Sequence, residues 1–150
     1  MKMTPEMTEA QERMAPGVIT AQGFLGHDTR NVAEIIAEDE RYFALREIPI
    51  ERLVERMREL QEAGSAGLGE TISVEPYWEV RVNEARGVLP CPFSDGVYGK
   101  INTIVIDRQS KEEIVYSDLT IHLIEKHHFF QGVGSPFRHE PEKYARILHL

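Results

Sequence analysis

Cysteine is nearly absent: Cys91 is the only one in 150 residues. That excludes an internal disulfide framework and fits a reducing compartment, so the cytoplasm is the expected location. Long apolar runs are missing too. No 18 consecutive residues are apolar, which predicts a soluble chain without a bilayer-spanning helix, and residues 1–17 lack the apolar stretch of an export signal. Basic residues are scarce. Seventeen Lys and Arg stand against 25 Asp and Glu, for a formal charge of −8, and both halves are acidic, with 8 basic against 13 acidic residues through Gly69 and 9 against 12 beyond it. Nucleic-acid affinity rests on phosphate neutralisation by clustered cations, so nucleic acid is disfavoured as a partner, and anionic membranes are disfavoured for the same reason.

What is present suffices for one core. A chain of this length buries roughly 70% of its unfolded surface, and 41% of its residues are apolar. Residues 1–20 show no sustained period and end in Pro16-Gly17, which predicts a loosely ordered arm followed by a single domain over 21–150. Asn31, with Glu34 three residues on, suits a helix start, as does Asp28. Val32, Ile35, Ile36, Tyr42 and Phe43 then recur at helical spacing to about Arg46, with Asp39 lying on the apolar stripe. A second helix follows Pro49, its face formed by Ile50, Leu53, Val54, Met57 and Leu60, and it ends at Gly64.

After a flexible connection through Gly64, Gly67 and Gly69, the period changes. Ile72, Val74, Pro76, Trp78, Val80 and Val82 occupy alternate positions, a strand with one buried face and a proline that places it at an edge or a bulge. Gly87 to Gly99 reads as a loop around Pro90-Cys91-Pro92, and Ile101–Ile106 with Ile114–Tyr116 as a hairpin. Ser117 or Asp118 caps a short helix through Glu125, Phe129 and Phe130 plug the core, and Pro141 opens a last helix. The expected fold is α+β: an N-terminal helical pair packed on an antiparallel sheet of three or slightly more strands, with short C-terminal helices.

No stretch carries a motif that dictates a reaction. The three glycines follow a helix and precede a strand, the reverse of a phosphate-binding loop, and no Gly-Lys-Ser/Thr is present. Ser135 in G-V-G-S-P lacks the context of a nucleophile elbow. Histidine is the informative residue, with His122, His127 and His128 inside seven positions. On a continuous helix His127 lies about 140° around from His122. A metal site therefore calls for the chain to turn His127 back, with Cys91 as third ligand and zinc as the ion. The competing structural explanation makes His122 a core residue and His127 and His128 a helix C-cap. Cys91 is either a small buried hydrophobe or a thiolate nucleophile activated by a nearby histidine. His27, Asp28 and Arg30, with Asp39, form a second polar constellation suited to an anionic or hydroxylated ligand, although capping accounts for Asp28. Arg138 is placed to clamp a carboxylate in bidentate fashion or to sit in solvent.

Three functional expectations follow. The leading one is a non-catalytic ligand-binding or protein-interaction domain whose pocket contains His and Cys, with a small molecule or protein as partner. The second is a small zinc-type hydrolase using Cys91, His122 and His127 as ligands and Glu125 or Asp118 as general base. The third is a winged helix-turn-helix, against which Arg52, Arg56 and Arg58 alternate with glutamates that repel phosphate. An edge strand also offers a pairing surface for a homodimer.

Overall fold

Asn31 opens a long helix as its spacing with Glu34 predicts, its side chain accepting a hydrogen bond from the Glu34 amide at 2.9 Å. The computed structural model describes residues 2–150. Among them the elements run α1 (Pro5–Arg13), α2 (Val32–Leu45), α3 (Ile50–Ser65), β1 (Ile72–Val74), β2 (Trp78–Pro90), β3 (Val97–Asp107), β4 (Glu113–Ser117), α4 (Asp118–His127) and α5 (Pro141–Ile147). The four strands pair antiparallel in chain order, giving a mixed α+β fold with helices before and after the sheet. No helix is long and apolar enough to cross a membrane.

Four local expectations are corrected. The loose arm contains α1, which Thr4 caps through the Met7 amide, and it is anchored because Ala10 and Met14 are fully buried. The alternating run 72–82 is two strands, since the chain reverses at Glu75–Tyr77. Ile72 pairs with Val80 and Val74 with Trp78, so the apolar face survives the fold-back because residues opposite one another share a side of the sheet. The proposed Gly87–Gly99 loop shrinks to residues 91–96. Its flanks instead extend the β2–β3 ladder, beyond an irregularity between Ala85 and Val88, through Leu89 opposite Tyr98 and Pro90 opposite Val97. Gly64 belongs to the last turn of α3 rather than to the flexible connection after it. It lies in α3 against Val80, where an added Cβ would meet Val80 Cγ1 at 2.4 Å.

Two apolar clusters make up the core. The larger joins Leu53, Met57 and Leu60 of α3 to Val80, Val105, Ile114 and Tyr116 of the sheet and to Tyr144 and Ile147 of α5. The smaller gathers Ala10, Met14, Ile35, Phe24, Cys91 and Phe129. Each fully buried Leu, Ile or Phe contributes roughly 1.5–3 kcal/mol relative to exposure. Helix α4 divides the two, giving Ile121 and Ile124 to the first and Leu119 and Leu123 to the second. Its start is secured by a capping box in which Ser117 and Thr120 satisfy one another's backbone amides. His122 sits on the helix between these two apolar stripes.

Candidate metal centre

Cys91 and Asp95 lie in the tight 91–96 turn, and His122 and His127 project from α4. The turn is closed by the Cys91 amide donating to the Gly96 carbonyl at 2.9 Å and the Ser94 amide to the Cys91 carbonyl at 2.9 Å. Gly96 has φ +148, and a Cβ there would approach the Tyr98 hydroxyl at 3.0 Å, so the return into β3 demands glycine. One donor atom from each of Cys91, Asp95, His122 and His127 lies within 4.8 Å of the other three.

Asp95 is the hub. Its two carboxylate oxygens take His122 Nε2 at 2.9 Å and His127 Nε2 at 2.7 Å. The chain therefore does not turn back to bring the histidines together. They stay on one continuous helix, and a carboxylate from the facing loop spans the gap between them. Supporting contacts hold each ring: Tyr98 hydroxyl to His122 Nδ1 at 2.8 Å, and Phe93 stacked on His127 with centroids 4.0 Å apart. The Phe93 amide points at Cys91 Sγ at 3.4 Å. A tyrosine hydroxyl both donates and accepts, so it serves His122 in either tautomer and can fix the ring for a cation at Nε2.

The electrostatics favour a cation. Burial, and then the Asp95 carboxylate, push the Cys91 thiol up to about 12. Without a positive partner it stays protonated, and with Cys91 buried this counts against a free thiolate nucleophile. Burial works to raise the Asp95 carboxyl, but hydrogen bonds from Cys91, His122 and His127 outweigh it and hold the group well below the usual carboxylate range. Burial lowers the His127 imidazole, with Asp95 opposing only in part, and so favours the neutral, ligating form.

The other sequence candidates lie elsewhere, most of them paired within the protein. Asp28 accepts from the Arg30 guanidinium and from the Val133 amide at 3.1 Å, while Arg30 also reaches Glu38. Arg138 is not in solvent: it clamps Asp39 with both terminal nitrogens, and each side chain is only 6% exposed. His27 is exposed beside Gly134. His128 has the left-handed conformation of a helix C-cap and bonds Glu40 at 2.6 Å, as the capping explanation expects of it, whereas His127 joins the cluster. The two expected general bases are occupied as well. Both oxygens of Glu125 face Arg58 at 2.7 and 2.9 Å, which lowers its carboxyl, and Asp118 accepts from Gln61 at 2.5 Å. Ser135 is no nucleophile, as its hydroxyl donates to the Gln131 side chain.

Sequence reasoning named three of the four clustered residues and missed Asp95 and Tyr98. The only available signal was the spacing Cys91-x3-Asp95 in a proline-flanked loop, which by itself resembles any solvated turn. No family model, no curated protein and no solved structure matches the chain.

Proposed function

We infer that this protein binds a zinc-class transition-metal ion through Cys91, Asp95, His122 and His127, and that the ion clasps the 91–96 turn to α4. The observation carrying this reading is the convergence of four ligands suited to zinc, one thiol, one carboxylate and two imidazoles, from two separate elements. Tetrahedral zinc places its ligand atoms about 3.3–3.7 Å apart, so side-chain adjustments of about an ångström bring the four donors into range. With all four engaged no coordination position remains open, which favours a non-catalytic role. Elemental analysis of the purified full chain tests this reading. About one zinc per chain is expected, and cobalt substitution should give the intense visible absorption of a tetrahedral thiolate site. Loss of both signals in Cys91→Ser and His122→Ala would support the assignment, whereas a metal-free wild-type chain that takes up no cobalt would sink it.

One observation favours a second reading. The Asp95 side chain is 38% exposed, against 8% for His122 and 20% for His127. If Asp95 stays outside the coordination sphere, the other three ligands leave one position for water and Asp95 becomes its general base, a hydrolytic arrangement. Asp95→Ala separates the two. Weakened cobalt binding marks Asp95 as a ligand, and undiminished binding with lost ester hydrolysis marks it as a base.

A further inference from the structure

A second concavity of about 320 Å³, at the small end of the range for ligand pockets, opens between the segment Thr20–Phe24, the end of β2, the start of α4 and Pro136-Phe137. Phe24, Leu89, Leu119, Pro136 and Phe137 give it apolar walls, and no charged residue lines it. An ionic ligand would lose its hydration there with nothing in return.

Gln131 lines this cleft although only 4% of its surface is exposed. Its side-chain oxygen accepts from the Ser135 hydroxyl and its backbone carbonyl from Arg138 at 3.0 Å. Its amide nitrogen has no hydrogen-bond partner among the described residues, yet it is not among the side-chain atoms sealed from solvent. The amide thus has one end fastened and the other free for an acceptor, water or a ligand oxygen, that reaches it from solvent.

The geometry points to a binding site for a small, neutral, largely apolar molecule bearing a carbonyl-type acceptor oxygen, which takes the hydrogen bond of the Gln131 amide while its apolar body rests on Phe24, Leu119 and Phe137. This site does not depend on the metal reading. Its walls nevertheless adjoin the metal centre along the chain, because Leu89 precedes Cys91 by two residues and Leu119 precedes His122 by three.

The test uses the 15N-labelled full chain and acetanilide, a neutral aromatic amide, with benzoate as the charged comparison. Acetanilide should shift the Gln131 side-chain NH2 resonances and the Phe24 and Leu119 amides saturably, and benzoate should bind at least about tenfold more weakly. Gln131→Met, similar in shape but without the donor, should weaken acetanilide about five- to tenfold. Ala21→Trp, at an exposed rim position, should abolish binding with the remaining backbone spectrum preserved. The proposal is overturned if acetanilide produces no saturable shift up to its solubility limit, if benzoate binds as well, or if both variants bind like the wild type.

Discussion

The Asp39–Arg138 pair and the Asp95 cluster both centre on a carboxylate in a polar nest, and they differ in what surrounds it. Around Asp39 stands a permanent cation, with Arg138 further held by Glu140 and by the Gln131 carbonyl. Around Asp95 stand two imidazoles and a thiol, groups that give up protons to a metal. In the first nest the carboxylate has its counter-charge within the protein, and in the second it is surrounded by side chains with metal-ligating chemistry. Polar residues gathered in one place therefore say little about function until the charge balance among them is known.

The largest expected effect breaks the Asp39–Arg138 nest. Arg138→Met strands a buried carboxylate and should destabilise the fold by about 3–5 kcal/mol, read by urea denaturation. A loss below about 1 kcal/mol would mean that the pair is not desolvated as described. At the other nest, zinc at a hundredfold excess over its dissociation constant should raise stability by about 2.7 kcal/mol. Arg138→Met should leave that increment unchanged while His122→Ala removes it. A smaller effect sharpens the contrast through Asp107, which bonds His149 at 2.9 Å but has neither thiol nor second imidazole beside it. Burial works to raise the Asp107 carboxyl, and hydrogen bonds from His149 and Ser110 overcome it, holding the group at about 2. A depressed carboxylate stabilises fully above its ordinary value of 3.8, and that contribution, about 2.5 kcal/mol at most, fades as pH falls toward about 2. Asp107→Asn should flatten the acid limb of stability between those values and leave zinc uptake unaltered. The smallest effect is expected from Ser117→Ala, which uncaps α4 and should cost about 1 kcal/mol in thermal unfolding.

Helix and strand type could be read from the sequence wherever periodicity was long. The stripe of α3, the Asn31 cap, the β3–β4 hairpin and the Ser117 start of α4 all follow from local spacing. Helix α1 was not legible, because it is short and owes its place to burial of Ala10 and Met14 and to Arg13 reaching the Pro92 carbonyl at 2.6 Å. The reversal at Glu75–Tyr77 was hidden because a hairpin leaves alternation intact. At the site, Cys91, His122 and His127 stood out by residue type, while Asp95, one of 25 acidic residues, did not.

Local sequence thus determined which segments are helical or extended and which side chains have metal-ligating chemistry, since caps and periods act over three or four positions. Only the tertiary structure decided which of those side chains meet. The 91–96 turn reaches α4 through the β2–β3 ladder and the packing of α4 between two apolar clusters, and these long-range contacts set donor separations that no short window of sequence contains.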